Sequence, residues 1–236
     1  MIVFLLSLFL VLPVSLLFIL SGLKAQIFTE QIQEVTKSVV MIEVKGTQMI
    51  GIKKNYASGV LISPDGLILT NAHAIDPLHP KDDEQIVYKV ILPSREELPA
   101  NLLAYNKKQD LALLKIEAKT QAVKWLGMKS DEEVIISGTE IFLISSPNWI
   151  PHITTFGHIA SCPRYINEKF PYHYFIDVTI MKGCSGGGVF NQKGELIGIL
   201  KGMLTQERGG VLGIAIPPSV ITDFIEKDEK KIKELK

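Results

Sequence analysis

Gly183-Cys184-Ser185-Gly186-Gly187-Gly188 is the stretch on which the reading of this chain turns. Consecutive glycines open backbone conformations closed to residues that carry a Cβ. A serine nucleophile needs such a loop for two reasons. Its hydroxyl must be presented to a carbonyl carbon, and backbone N–H groups must point at the oxygen that becomes negative. The same letters fit a plain glycine-rich turn between strands. The Gly-x-Ser-x-Gly of residues 183–187 also fits the nucleophile elbow of an α/β-hydrolase.

A serine is a weak nucleophile near neutral pH. It needs a base, usually His, and the base needs an orienting carboxylate. Five histidines are available, at 73, 79, 152, 158 and 173. His73 follows an apolar run in Thr70-Asn71-Ala72-His73-Ala74, at a strand-to-loop junction where a side chain is held yet reaches a cleft. His79 and His173 fall in polar or Pro-flanked loops, and His152 and His158 alternate along a strand pattern, so these four read as surface or packing residues. Asp110 opens the apolar run Leu111-Ala112-Leu113-Leu114. A carboxylate entering such a strand is partly buried and needs a partner, which an imidazole N–H would supply.

Chain order separates the rival folds. An α/β-hydrolase places its acid and then its His after the serine. No histidine follows Ser185 here. The subtilisin order needs an Asp before the His, and Asp65, the one candidate, sits in the tight turn Pro64-Asp65-Gly66. The order His73, Asp110, Ser185 is that of the chymotrypsin-like enzymes.

The strand pattern agrees independently. Short β-branched runs at 38–46, 58–75, 85–93 and 110–117 form one group, and runs at 133–145, 152–161, 172–180, 187–202 and 210–217 form another. Many short strands joined by turns imply closed β-architecture. Asp65-Gly66 and Gln192-Lys193-Gly194 mark hairpin turns. The predicted fold class is therefore all-β, two packed six-stranded-type β-barrels of the chymotrypsin-like kind. Residues 37–118 make the first barrel with His73 and Asp110, and 119–218 make the second with Ser185. A linker or short helix covers 24–36, and a C-terminal helix covers 219–236, with Ser219 as its N-cap and Val220, Ile221, Phe224 and Ile225 as its apolar face.

Residues 1–23 contain no charged side chain and match the ~20 residues that span a bilayer core as a helix. They read as a transmembrane anchor. The competing reading is a signal segment cleaved near Ala25, which fits less well because the apolar run is long and no Lys or Arg precedes it. A single-pass membrane protein with an extracytoplasmic domain is expected, secreted if residues 1–25 are removed. Lys+Arg and Asp+Glu both number 25, so no basic excess points to nucleic acid. Two cysteines, Cys162 and Cys184, exclude a disulfide scaffold, and their pairing stays open. No ligand spacing recurs, so neither a metal nor a cofactor is expected.

The chain resembles the HtrA (Deg) family of trypsin-like serine proteases over about residues 37–224. The resemblance rests on SGVLISPDGLILTNAHAI around His73, QDLALLKI around Asp110, and DVTIMKGCSGGGVFNQKGELIGI around Ser185. ISSPNWIPHITTFGHIAS and GVLGIAIP add to it. It implies endopeptidase action on polypeptides, unfolded or membrane-proximal, with His73 as base, Asp110 as its orienter and Ser185 as nucleophile. It implies an oxyanion hole from the N–H groups of Gly183 and Ser185, and a specificity pocket lined by Thr179, Ile180, Lys201, Gly202 and Met203. The family's homotrimer is a compatible assembly.

Thr179 stands six residues before Ser185, where a Lys- or Arg-specific enzyme needs an Asp, so small or medium aliphatic side chains are expected in the pocket. Three departures from the family stand out. Cys184 replaces the usual Asn, Gly188 the usual Pro or Ala, and no segment resembles the C-terminal PDZ domain. The first two are expected to loosen the oxyanion loop at rest. They motivate the alternative of a catalytically silent protease-like binding or chaperone module. A non-proteolytic esterase is a further alternative.

Overall fold

The computed structural model describes residues 28–48, 51–75, 86–123, 135–165, 172–205 and 210–234. The expected membrane segment, residues 1–23, lies outside them, as does most of the stretch linking the two strand groups. Among the described residues no helix is long and apolar enough to cross a membrane. Residues 28–36 are helical (α1).

Alternation along β1 (Val39–Gln48) turns Val40, Ile42 and Val44 to one side. They meet Leu61 of β2 (Gly51–Leu61), Ile68 of β3 (Leu67–Thr70) and Leu114 of β6 (Leu111–Lys115) in one core. With β4 (Ile86–Ile91) and β5 (Glu97–Asn106) the strands close antiparallel in the order β1-β2-β3-β6-β5-β4. A second closed barrel follows, in the order β10-β11-β12-β9-β8-β7. Its strands are β7 (Glu140–Ser145), β8 (Ile153–Arg164), β9 (His173–Asp177), β10 (Gly188–Asn191), β11 (Leu196–Thr205) and β12 (Val211–Ile216). Leu143, Ile159, Ile176, Val189, Ile197 and Leu200 fill it. Closure leaves neither barrel with an unpaired edge.

Both hairpin turns lie where the sequence puts them. Gly66 N–H donates to Ser63 O at 3.2 Å between β2 and β3, and Gly194 N–H to Asn191 O at 3.0 Å between β10 and β11. Three local readings change. β5 fell in no strand run, because Pro99 argues against a strand and only the small Ala100 and Ala104 are buried along it. β3 ends at Thr70, and His73 sits in a one-turn helix, α2 (Ala72–Ile75), rather than at a strand end. The last helix, α3 (Pro218–Glu234), starts one residue early. Val220 N–H bonds Pro217 O at 3.1 Å, and Pro218 takes the first helical position, where its missing N–H costs nothing; Ser219 is inside the helix and not its cap.

α3 lies against β5 of the first barrel and β11 of the second, with Ile221 and Phe224 buried. It therefore ties the two barrels together on one side. Phe224 is fully buried, so Phe224→Ala is expected to cost about 3–5 kcal/mol by chemical denaturation, the usual range for a buried aromatic. A loss under about 1 kcal/mol would mean that α3 does not brace the barrels.

Candidate active site

The first barrel supplies two of the three predicted groups. His73 Nδ1 lies 2.8 Å from Asp110 Oδ2 and 3.0 Å from Oδ1, and His73 backbone N–H donates to Oδ1 at 2.9 Å. The carboxylate is thus gripped by ring and backbone of one residue. Asp110 is buried and takes a left-handed conformation, φ 56°, which Asp tolerates better than most residues. Asn71, not among the candidates picked out from the sequence, donates from Nδ2 to Asp110 O at 3.1 Å. Its short amide pins that bend from the residue that precedes α2.

The second barrel supplies Ser185. Its Oγ lies 3.1 Å from His73 Nε2 and 3.3 Å from the carbonyl oxygen of Lys201. With both carboxylate oxygens facing Nδ1, the hydrogen-bond network assigns the proton to Nδ1 and leaves Nε2 as the acceptor. The arrangement can draw a proton from the hydroxyl.

The amides around Ser185 are sorted by the turns they make. Asn148 N–H donates to Lys182 O at 3.1 Å. Across a trans peptide the carbonyl and the next N–H point oppositely, so Gly183 N–H faces away from Asn148. Gly183 has φ 93°, open to glycine. Cys184 N–H is used in a turn to Met181 O at 3.2 Å. Among the described residues, the N–H groups of Gly183 and Ser185 make no such bond.

In the structure both departures are packed into the second barrel. Cys184 is buried among the second barrel's core residues, and its Sγ accepts from Ser145 Oγ at 3.2 Å and Met181 N–H at 3.4 Å. The thiol is an anchor with an apolar body. At Gly188 a Cβ would stand 2.4 Å from Phe190 Cζ, so the missing side chain makes room for a buried ring that stacks on Phe142. Both cysteines are free; Cys162 Sγ lies 3.2 Å from Ile135 O instead.

The residues expected to line a pocket are partly gathered. The carbonyl of Lys201 faces Ser185, and β11 skips a residue there in its pairing with β12, between Leu200 and Gly202. Ile180 and Ile176 crowd over Gly213 of β12, where a Cβ would come within 2.6 Å of Ile180 Cδ1. Gly213 was not singled out from the sequence. Thr179 and Met203 are exposed, and Thr179 O accepts from Thr155 Oγ1 at 3.2 Å. Among the described residues no three His, Cys, Asp or Glu side chains gather as they would around a metal ion.

His173 differs most from its sequence reading. It is a buried residue on β9 rather than a loop histidine, and its Nδ1 has no partner among the described residues. Burial pushes its pKa down from 6.5 to about 4; Lys201 adds to the shift and Asp110 opposes it. His152 is also held low by burial, against the pull of Val39 O at 3.0 Å from Nε2. His158 is exposed on β8, and His79 lies outside the described residues.

Residues 57–199 match the model of the trypsin-like peptidase domain, and the chain belongs to that family. Within it the similarity runs to DegP-like, HtrA-type proteins. The chain is 35% identical over 183 residues to a probable periplasmic serine endoprotease DegP-like of Pseudomonas putida, covering 75% of this chain and 36% of that one. Its counterpart in Hahella chejuensis is 36% identical over 181 residues, with the same coverage of 75% and 36%. The chain thus spans about a third of the length of these relatives, 36%. The solved HtrA-type protease AlgW, with a tripeptide, shares the fold at a TM-score of 0.70 and 23% identity, over 84% of this chain and 62% of that one.

The buried His173 carries a pH signature. In the folded chain it stays neutral down to about pH 4, whereas the unfolded chain protonates near 6.5. Between those values the unfolded state binds more protons, so stability falls as pH drops from 6.5 towards 4. His173→Leu should therefore lose less Tm than the parent between pH 7 and pH 4.5, read by differential scanning calorimetry. Equal losses would show that His173 titrates alike in both states.

Proposed function

We propose that the chain is a serine endopeptidase acting through His73, Asp110 and Ser185 and an acyl-enzyme. The observation that carries this reading is the line of contacts from Asp110 Oδ2 through the His73 ring, 2.8 Å, to Ser185 Oγ, 3.1 Å. The relatives named as serine endoproteases support it.

His73 Nε2 takes the hydroxyl proton as Ser185 Oγ bonds to the scissile carbonyl carbon. The carbonyl oxygen becomes negative and is met by the N–H groups of Gly183 and Ser185. Their preorganisation stabilises charge that exists only in the transition state. The intermediate then collapses. The C–N bond breaks, the imidazolium gives its proton to the departing amine, and an ester to Ser185 remains. Water, deprotonated by His73, hydrolyses that ester. Asp110 holds the Nδ1–H tautomer throughout and stabilises the imidazolium. The substrate lies along Lys201–Met203, where the skipped residue in β11 frees backbone groups for it. Ile180 and Ile176 over Gly213 form an apolar floor, suited to small or medium aliphatic side chains.

The substrates are polypeptides. A tether through residues 1–23, an extracytoplasmic protease domain and a homotrimeric assembly belong to the same reading. They rest on the uncharged apolar run, on relatives named periplasmic and on the HtrA resemblance.

Hydrolysis of an unfolded protein such as reduced casein, followed by gel and by mass spectrometry, tests the proposal. Ser185→Ala should lower kcat by about 10⁶-fold and Asp110→Asn by about 10⁴-fold, with both variants folded. Unchanged hydrolysis by Ser185→Ala would sink the assignment.

A further inference from the structure

Four consecutive carbonyls, Lys182 to Ser185, each have a fixed donor. Lys182 O takes Asn148 N–H at 3.1 Å and Cys184 O takes Gly187 N–H at 2.9 Å, both from within the second barrel. The other two reach across to one residue of the first barrel. Gly183 O accepts from Ser58 Oγ at 2.9 Å, and Ser185 O from Ser58 N–H at 2.9 Å.

Ser58 lies on β2 with its side chain outside the first barrel, since its neighbour Ala57 faces the core. It is nonetheless wholly buried, with 0% exposure, because the Ser185 loop covers it. Every polar group it owns is used. Besides the two bonds above, Oγ accepts from Ser146 N–H at 2.8 Å, and its carbonyl accepts from Thr70 Oγ1 at 2.7 Å. The approach is close: a Cβ on Gly186, which has φ 84°, would fall 2.0 Å from Ser58 O.

Orientation of peptide planes turns these contacts into chemistry. With Gly183 O and Ser185 O drawn to Ser58, the next amides point the other way, Cys184 N–H to Met181 O at 3.2 Å and Gly186 N–H to Leu200 O at 2.9 Å. The planes on both sides of the Cys184-Ser185 peptide are then set. Among the described residues the remaining amides, Gly183 and Ser185, have no backbone acceptor.

We propose that Ser58 is the positioning residue of the oxyanion site, its hydroxyl and amide holding the Gly183 and Ser185 carbonyls so that the N–H groups of those residues converge. It touches no reacting atom and acts through the loop. The inference rests on the peptidase reading above.

The test is full-chain kinetics of Ser58→Ala and Ser58→Thr on a fluorogenic peptide, with the Ki of a peptide boronate whose tetrahedral adduct uses the oxyanion site. Ser58→Ala should lose about tenfold or more in kcat, short of the roughly 10²–10³-fold seen when an oxyanion donor is removed outright. Boronate affinity should fall by the same factor, with KM within about twofold and the hydroxyl of Ser58→Thr restoring part of both. A residue that only stabilises the fold would lower Tm and leave kcat and boronate affinity of the folded protein unchanged, and that result overturns the assignment. Should Ser58→Ala not fold, Thr70→Val, which removes only the bond to Ser58 O, must lower kcat and boronate affinity together; no change in either overturns it. A parent chain that neither cleaves peptide nor binds boronate refutes the peptidase reading itself. An active parent matched by Ser58→Ala refutes the role of Ser58 alone.

Discussion

The 3.1 Å between His73 Nε2 and Ser185 Oγ joins two barrels that have no strand in common. The two residues are 112 apart in sequence, and no local turn sets their distance. It is fixed by how one barrel sits on the other. A misplacement of about 1 Å at such a site can cost 10²-fold in rate. The contacts across the junction therefore matter to the proposed chemistry as much as His73, Asp110 and Ser185 do.

Each barrel organises its own half first. On the first, α2 and the start of β6 face each other, so His73 takes the Asp110 carboxylate by ring and backbone, while Asn71 pins the Asp110 carbonyl. On the second, a buried thiol and a chain of turns shape the Ser185 loop. Ser58 then couples the halves with three hydrogen bonds, and α3 lies against both β5 and β11. Buried backbone groups left without partners cost about 1–3 kcal/mol each, so this junction tolerates few other arrangements.

Much of this was legible in the sequence. His73, Asp110 and Ser185 lie on short motifs whose order excludes the other hydrolase folds, and alternation with Asp-Gly and Lys-Gly turns exposed most of both barrels. What escaped is what depends on distant partners. β5 buries only alanines and carries Pro99, so its place comes from β4 and β6 on either side. Ser58 looks like an ordinary strand serine; its partners at 146, 183 and 185 appear only once the barrels meet. His173, two residues after Pro171, reads as a loop histidine although the strand run 172–180 contains it; what the letters do not show is that the strand buries it. Cys184 and Gly188 read as weaknesses of the loop because the core that receives the thiol and the ring that fills the glycine's space were out of sight.

The proposed mechanism requires Ser185 to be an activated nucleophile in the folded chain. Labelling with a fluorophosphonate, followed by intact mass and peptide mapping, tests it most directly, because the probe bonds only to a serine whose proton a neighbouring base removes. One phosphonyl group per chain is expected, on Ser185, and none in His73→Ala. Absence of labelling in the folded parent, or labelling that survives His73→Ala, would contradict it.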